Sequence, residues 1–442
     1  RAADGTRPSG PSKGLGSPGA SSRRPLVQPQ GACGAARALA SRQRPGPSPL
    51  GPCGPRQRDR GARKMRLASA SRGLNLASLR RVRRLWQEHV QRLTLAELQG
   101  LGVAADGASG QLQVARRTHW ELKVRIAHRL RDFLFLPYKV MAHPSVRLLY
   151  EKYVSAYNMH EDLGRLHSPD VAAEYWLALA RTFEEHQHVT RLLGHSRRQL
   201  VRLDPGLAPT LDRFLDRFFV SRIGTHLLGA HFLGLGPVPS GARKPAGVAM
   251  GILQPTSPGG FIRDLSASLV APDRGGSRVP VDLEDDVDTS ILYIPGHLRA
   301  ILREVLQNAV AATARAAEEQ GREPPPVRVK VHRGQFGVFV TVSDQGGGIA
   351  RADRVWDWGE DHGPPRACAE KAELEWSSSE VAALPPRLPL GFGLPLARLT
   401  ARYFGGDVRL QTLVGFGTNA YVHIPELQQE GAVVVDDPGV PS

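Results

Sequence analysis

The chain has 442 residues, which is enough for two or three domains with a substantial buried core. Its net charge of +16 comes from one end, because residues 1–64 hold thirteen Lys and Arg against two acids, and residues 65–87 hold six Arg and no acid. Residues 88–442 are therefore close to neutral, and the charge does not indicate a nucleic-acid partner. Three cysteines are too few for a disulfide framework. The sequence contains no run of about 18 apolar residues, so it does not predict a transmembrane segment.

The first 87 residues form two segments that we expect to precede the folded protein. Residues 1–64 are rich in Pro, Gly, Ser and Arg and have almost no large apolar side chains, which predicts a disordered extension. The first methionine is Met65, and the segment 65–87 is rich in Arg and Ser, free of acids and interspersed with Leu. That composition is typical of a mitochondrial transit peptide, so we expect translation to begin at Met65. A solvated basic arm is the alternative.

Between residues 88 and 236 the apolar residues recur at helical intervals. Four segments carry this pattern: 92–102, 121–137, 171–193 and 208–228. Short connections between such amphipathic helices predict an up-and-down four-helix bundle. His186 lies on the same stripe as Trp176, Leu179 and Phe183, so spacing alone favours a hydrogen-bonded core histidine.

A Gly- and Pro-rich stretch at 234–247 precedes a region with a different period, and we place a domain boundary near 235–247. Helix and strand patterns then follow in the order 295–317 (helix), 327–333 and 336–344 (strands), 394–404 (helix), and 407–413 with 419–424 (a hairpin). They predict an α+β sandwich over residues 245–425, with helices on one face of a mixed sheet. A tail at 426–442 follows it.

Polar residues on the first helix of this region have a spacing that suits chemistry. Glu304 and Asn308 are four residues apart, so they share one face of the helix. The amide oxygen of Asn308 is a hard ligand suited to Mg²⁺, and Glu304 could act as a base one turn away. An exposed polar pair is the alternative, and by itself this motif does not separate the two.

Three glycine-containing stretches follow along the chain. In "VSDQGGGIA" (342–350), Asp344 ends a strand and is followed by Gly346, Gly347 and Gly348, which allow close approach to the backbone but also suit a tight turn. In "LGFGLPLARL" (390–399), two glycines open a helix whose bare amides would bind an anion. In "GFGT" (415–418), a glycine turn leads Thr418 into the last strand.

In this order the four motifs resemble the ATP-binding domain shared by gyrase, histidine kinases, a mismatch-repair ATPase and the large heat-shock chaperone. In that fold the strand-end aspartate binds the adenine amino group, a role that falls to Asp344. The resemblance implies ATP and Mg²⁺ as cofactors, with Asn308 as the metal ligand. The nucleotide-binding residues that it implies are Asn308, Asp344, Gly346, Gly348, Gly391, Phe392, Gly393, Leu394 and Thr418.

The helical half narrows the resemblance to one family. "LTLAELQGLG", "EEHQHVTRLLGHS", "SRIGTHLL" and "YIPGHLRAILREVLQNA" follow one another as in the mitochondrial α-ketoacid dehydrogenase kinases, over roughly residues 88–425. These enzymes phosphorylate serine on the pyruvate or branched-chain ketoacid dehydrogenase and lower its activity. The resemblance implies a homodimer in the mitochondrial matrix, with the dehydrogenase α-subunit and the lipoyl-bearing core of its complex as partners. It also makes Glu304 the general base and places His186 beside it.

Several positions depart from the family pattern. Ala311 stands where the family has arginine, Pro389 where it has glycine, and Asn419 where it has aspartate. The lid between Gly348 and Gly391 lacks the usual Ser/Thr-Ala motif, which weakens the expectation of a K⁺ site, and the Asp-Trp signature is absent after residue 425.

These departures leave alternatives to an active serine kinase. One is a nucleotide-binding pseudokinase that docks on the complex, and another is a protein-histidine autokinase. His119 in "HWEL" superficially resembles a phospho-acceptor, but we interpret it as a surface or structural residue. A mismatch-repair or chaperone ATPase is disfavoured because no large domain follows residue 425.

Overall fold

The computed structural model describes residues 73–90, 93–236, 251–270, 279–285, 290–360 and 391–426. A helical domain comes first, and a domain that combines a β-sheet with helices follows it. No helix within these ranges is both long and apolar enough to span a membrane.

The described part of the helical domain contains five long helices rather than the predicted four. Its helices are α1 (Leu76–Leu85), α2 (Leu95–Ala104), α3 (Gly107–Leu134), the single turn α4 (Tyr138–Met141), α5 (Pro144–Leu163), α6 (Pro169–Glu185), α7 (Val189–Leu203) and α8 (Ala208–Leu235). The long helices α3, α5, α6, α7 and α8 pack on one another. The prediction of one helix over 171–193 is wrong, because α6 and α7 are separated at residues 186–188.

Side chains from other helices explain this break. Lys152 of α5 donates its Nζ hydrogen to the carbonyl of Glu185 at 3.0 Å, and Arg222 of α8 donates an Nη2 hydrogen to the carbonyl of His186 at 2.8 Å. The last carbonyls of α6 are thereby satisfied without further helix. The apolar pattern within 171–193 could not predict this break, because the donors Lys152 and Arg222 lie on other helices.

The folded domain begins before the predicted start at residue 88. Helix α1 lies inside the segment predicted as a transit peptide, and its Val82 is fully buried in the helical core. Trp86 also donates its indole hydrogen to the carbonyl of Ala127 in α3 at 3.1 Å. A segment packed in this way belongs to the helical domain, so the prediction that the whole of 65–87 is a presequence is corrected. The residues before 73 lie outside the described part.

The second domain is built on a five-stranded sheet with the strand order β2-β4-β5-β7-β6. Its elements are β1 (Gln254–Thr256), α9 (Pro258–Val270), β2 (Val281–Asp285), β3 (Ile291–Tyr293), α10 (Pro295–Glu319), β4 (Val327–Gly334), β5 (Gly337–Ser343), α11 (Gly393–Tyr403), β6 (Asp407–Leu413) and β7 (Gly417–Ile424). Strands β2 and β4 are parallel, the other neighbours in the sheet are antiparallel, and β1 pairs separately with β3. Helices α9, α10 and α11 pack on this sheet, as the α+β pattern predicts.

The two domains share their apolar cores. The core beneath the sheet includes Leu95 and Leu98 of α2 and Ile223 and Leu227 of α8. In the other direction, Trp358 and Phe392 of the second domain belong to the core of the helical domain. Apolar burial therefore crosses the domain boundary in both directions.

Candidate active site

A cavity of about 770 Å³ lies between the start of α7, one face of α10, the end of β5 and the start of α11. This volume is in the range of small-molecule and cofactor sites. The cavity is lined by Glu304 and by every residue predicted to bind nucleotide, namely Asn308, Asp344, Gly346, Gly348, Gly391, Phe392, Gly393, Leu394 and Thr418. The four separate motifs thus meet at one place in the fold.

Helix α10 presents Glu304 and Asn308 to this cavity from one face. The Asn308 amide donates from Nδ2 to Oε1 of Glu304 at 3.4 Å, which leaves its oxygen, Oδ1, without a partner among the described residues. Burial raises the pKa of Glu304 above its ordinary value, although the hydrogen bond from Asn308 and the charge of Arg303 oppose the rise. A carboxylate with a raised pKa is a better proton acceptor at neutral pH than an ordinary one.

Asp344 lies directly after β5 and is held by backbone donors. Its Oδ1 accepts hydrogen bonds from the N–H of Gly346 at 2.8 Å and of Thr418 at 3.2 Å. Its other oxygen, Oδ2, has no hydrogen-bond partner in the described part of the chain. Burial raises the pKa of Asp344, and these two hydrogen bonds oppose the rise. The side chain is therefore fixed in orientation with one oxygen left for a ligand.

Two glycines of the cavity wall are close to neighbouring groups. A Cβ added at Gly346 would overlap the side chain of Ala312 on α10. A Cβ added at Gly393 would overlap the carboxylate of Glu304. A larger residue at Gly346 would collide with α10, and one at Gly393 would displace the carboxylate of Glu304. The glycine run in the sequence therefore has a steric reason beyond a turn.

The start of α11 supplies backbone donors at the cavity. Phe392 occupies the N-cap position, and no side chain in the described part of the chain caps the helix there. The first amides of a helix have no intrahelical acceptor, and the helix dipole favours an anion at this end. The segment Gly391–Leu394 is thus suited to phosphate oxygens.

The predicted pairing of His186 with Glu304 has no support in the described residues, because the Nε2 of His186 has no hydrogen-bond partner among them. His186 does not line the cavity; its ring stacks on Tyr153 with 5.1 Å between the centroids. Burial, followed by the charge of Arg222, lowers the pKa of His186 to about 3. Because the chain turns at 186–188, the first turn of α7 reaches the cavity instead, through Thr190 and Arg191.

Several wall residues were not among the sequence predictions. Arg315 lies seven residues after Asn308 on α10, a spacing that could have identified it as part of the same face. Thr190 and Arg191 come from the helical domain, and Glu360 accepts a hydrogen bond from Arg351 at 3.1 Å. No local pattern marks these three positions.

Two other sequence observations have different outcomes. Ala311, which stands where the family has arginine, does line the cavity, whereas Pro389 and residues 361–390 of the segment predicted as a lid, with the K⁺ site expected near it, lie outside the described residues. His119 is buried, with 7% of its surface exposed, and its Nε2 is 3.1 Å from the carbonyl of His160. It is therefore structural rather than a surface residue, and it is not accessible as a phospho-acceptor.

Comparison with known families matches both halves of the chain. The family described as mitochondrial branched-chain alpha-ketoacid dehydrogenase kinase matches residues 92–249. The family of histidine kinase-, DNA gyrase B- and HSP90-like ATPases matches residues 294–428. The two resemblances drawn from the sequence motifs are thereby confirmed, in the same order along the chain.

Curated relatives agree with these matches. The mitochondrial [pyruvate dehydrogenase (acetyl-transferring)] kinase of Arabidopsis thaliana is 28% identical over 71% of this chain and 84% of its own length. Isozyme 3 of the mitochondrial pyruvate dehydrogenase kinases of Homo sapiens is 26% identical over 70% of this chain and 77% of its own length. The corresponding kinase of Schizosaccharomyces pombe is 30% identical, over 49% of this chain and 51% of its own length.

Proposed function

Because this chain belongs to the mitochondrial α-ketoacid dehydrogenase kinases, we propose that it is an ATP-dependent protein serine kinase that phosphorylates an α-ketoacid dehydrogenase and lowers its activity. The observation that carries the proposal is the meeting of Glu304, Asn308 and Asp344 in one cavity with the start of α11. The named relatives are pyruvate dehydrogenase kinases, and the matching helical family is named for the branched-chain alpha-ketoacid dehydrogenase kinase. Both dehydrogenases are therefore candidate substrates.

In this proposal Asp344 binds the adenine of ATP. Its Oδ1 is occupied by two backbone donors, so Oδ2 can accept from the exocyclic amino group. Gly346 and Gly348 line this end of the cavity, and neither position has room for a side chain, because an added Cβ would meet Ala312 or the carbonyl of Leu413. Thr418, at the start of β7, completes this end of the cavity.

The phosphates bind at the start of α11, which lines the same cavity. The backbone amides at Gly391, Phe392, Gly393 and Leu394 are available to phosphate oxygens at a helix N-terminus. The free Oδ1 of Asn308 fits Mg²⁺, which prefers oxygen ligands and takes most of its others from phosphates and water. When bound, the ion neutralises charge that develops on the transferred phosphoryl group.

Glu304 is the proposed general base. The serine hydroxyl of the dehydrogenase attacks the γ-phosphorus of ATP, the bond between that phosphorus and the β,γ-bridging oxygen breaks, and ADP leaves. The serine proton passes to the Glu304 carboxylate, whose pKa is raised by burial. The protein contributes mainly position and charge to such a transfer, which agrees with Glu304, Asn308 and the backbone donors of α11 lining one cavity.

We further propose that the protein works in the mitochondrial matrix as a homodimer. Its partners would be the α-subunit of the dehydrogenase and the lipoyl-bearing core of the complex. The relatives are mitochondrial kinases, which supports a mitochondrial location. The basic, Arg-rich residues before Leu76 agree with a presequence that ends upstream of α1.

The test is to incubate the full chain with γ-labelled ATP and either the pyruvate or the branched-chain dehydrogenase. Alongside the wild-type protein, Glu304→Gln should bind ATP but lose transfer, and Asp344→Ala should lose binding. Glu318→Gln is the matched control, because Glu318 is exposed near the far end of α10. It should behave like the wild-type protein.

Label on a serine of either dehydrogenase supports the proposal and identifies the substrate. Binding of ATP without transfer to either protein would instead establish a pseudokinase. Acid-labile label on the chain itself would establish a histidine autokinase. Normal phosphorylation by Glu304→Gln would refute the role of Glu304 as base.

A further inference from the structure

The short segment around Trp358, between the Asp344 motif and the start of α11, packs against the helical domain. Trp358 is 4% exposed and lies in the core of the helical domain. Its ring stacks on Phe219 of α8, with 5.0 Å between the centroids, and contacts Phe392 at 4.9 Å. Phe219 and Phe392 also contact each other, at 5.9 Å, so the three rings form a closed triangle. One corner of this triangle, Phe392, is a wall residue of the cavity.

A hydrogen bond fixes the orientation of the indole. Trp358 donates its Nε1 hydrogen to Oδ1 of Asp216 at 2.7 Å. Asp216 and Phe219 lie three residues apart on α8, so both contacts come from the same face of that helix. Stacking would accept any aromatic ring, but a phenylalanine ring could not donate this hydrogen bond, whereas the indole N–H does.

The backbone next to Trp358 contacts the nucleotide segment directly. The N–H of Gly359 donates to the carbonyl of Gly391 at 3.0 Å. A Cβ at Gly391 would overlap the backbone of Glu360, and a Cβ at Gly359 would overlap the guanidinium of Arg197. Arg197 of α7 is itself held by Asp212 through two hydrogen bonds, of 2.6 and 3.1 Å. The two segments therefore touch without intervening side chains and rest on helices of the other domain.

We propose that Trp358, oriented by Asp216, is a positioning residue for the phosphate-binding segment Gly391–Gly393. The inference rests on the proposed function, because it assigns this segment to the phosphates of ATP. The indole supports Phe392 from one side while the Gly359 hydrogen bond holds Gly391 from the other. The N-terminal amides of α11 thereby take their position from the helical domain, so nucleotide affinity depends on a contact outside the cavity.

The chain contains a matched control two residues away. Trp356 is partly buried against the core of its own domain, and the Arg398 guanidinium lies 4.2 Å from the centre of its ring. Trp356→Phe makes the same chemical change in the same segment without touching the helical domain. Trp358→Phe keeps a ring for stacking and removes only the donor to Asp216.

The experiment measures ATP affinity of the full chain by calorimetry, and the KM for ATP and kcat with the dehydrogenase. We expect Trp358→Phe and Asp216→Ala each to weaken ATP binding by roughly fivefold or more, in the range of coupling between sites. The double variant should be no weaker than either single variant, because both remove one hydrogen bond. Asp216→Asn, whose amide oxygen still accepts, should restore much of the affinity.

Two further readouts separate positioning from general stability. The KM for ATP should rise while kcat at saturating ATP and the KM for the dehydrogenase change little. Addition of ATP should change the tryptophan fluorescence of the wild-type and Trp356→Phe proteins, and this change should be lost in Trp358→Phe. Far-ultraviolet circular dichroism identifies any variant that fails to fold.

Unchanged ATP affinity in Trp358→Phe, or an equal loss in Trp356→Phe, would overturn the inference and leave the proposed function intact. Additive losses in the double variant would also overturn it. If the wild-type chain binds no ATP, both the inference and the proposed function are wrong.

Discussion

The helical domain and the second domain both contain groups whose pKa is shifted by burial, but the shifted groups lie in different places. In the helical domain, burial lowers the pKa of His119 to about 4, of His186 to about 3 and of His160 well below its ordinary value, and none of the three reaches the cavity. In the other domain, burial raises the pKa of Glu304 and Asp344, and both face the cavity. Loss of water keeps the histidines neutral within a packed core. The same loss of water raises the proton affinity of the two carboxylates, which face the cavity. A perturbed pKa marks a functional residue here only where the group also has access to the cavity.

The largest effect that would test this comparison is acid destabilisation of the helical domain. The unfolded chain binds protons on its histidines near pH 6.5, whereas folded His119 and His160 resist protonation until a much lower pH. The free energy of unfolding should therefore fall as the pH drops below 6.5, by up to about 1.4 kcal/mol per pH unit for each such histidine. Thermal unfolding at half-unit steps between about pH 7.5 and about pH 4.5 measures this slope.

One variant assigns part of that slope to a single group. Both ring nitrogens of His160 are buried and have no hydrogen-bond partner within the described ranges, and His119 and Lys123 lie close enough to disfavour its protonation. His160→Leu removes this site, so stability should depend less steeply on pH. The slope is the readout, because the stability at neutral pH also changes with packing. An unchanged slope would contradict the assignment.

The next effect concerns the geometry of the cavity. Gly393→Ala places a methyl group where the carboxylate of Glu304 lies, and the flexible glutamate must move away. We expect the phosphorylation rate to fall by roughly 10²-fold, as for other small displacements of a catalytic group, while the fold is kept. Gly296→Ala is the matched control, because a Cβ there has no neighbour within 4 Å. Equal rates for the two variants would show that the position of Glu304 does not matter.

A carboxylate away from the cavity sharpens the comparison within one domain. Burial alone would raise the pKa of Asp407, but hydrogen bonds from Arg402, Arg398 and Arg409 lower it to about 2. The stabilisation that this provides is present above the ordinary pKa of 3.8 and is lost as the pH falls toward about 2. Asp407→Asn should lower the free energy of unfolding by about 1–3 kcal/mol at neutral pH, measured by chemical denaturation.

Its control is a carboxylate in an ion pair on the surface. Arg354 and Asp357 are 3.2 Å apart and their side chains are about half exposed, so Asp357→Asn should change stability by less than about 1 kcal/mol. Equal effects of the two substitutions would mean that the three arginines around Asp407 add nothing.

The smallest effect is expected at His186. Its ring stacks on Tyr153 and lies outside the cavity, so His186→Phe should leave the phosphorylation rate within roughly twofold, as for residues without a part in the chemistry. The rate is measured with both dehydrogenases at saturating ATP. A loss of more than about tenfold would return His186 to the catalytic site and weaken the contrast between the two domains.

The sequence predicts the second domain well because its signals are local. Alternation within 327–333 and 336–344 corresponds to β4 and β5, and the spacing of Glu304 and Asn308 by itself places them on one face of α10. The nucleotide motifs lie at the ends of these elements, so predicting the elements also places the site. The order of the motifs along the chain supplied the remaining information.

The sequence predicts the helical domain less well because its decisive contacts are distant. The break after Glu185 depends on Lys152 and Arg222, which lie on other helices. The same break moves His186 away from the cavity, which no spacing rule within 171–193 indicates. Trp358 is a further case, since its partner Asp216 is 142 residues earlier in the chain.

The shared core beneath the sheet has a consequence for any attempt to divide the protein. Removing the helical half would uncover the apolar surface that Leu98 and Leu227 now cover, so residues 245–425 should aggregate when expressed alone. A chimaera between relatives would need to transfer α2 and α8 together with the sheet. A division that preserves packing would therefore not follow the domain boundary near 235–247 that the sequence composition suggests.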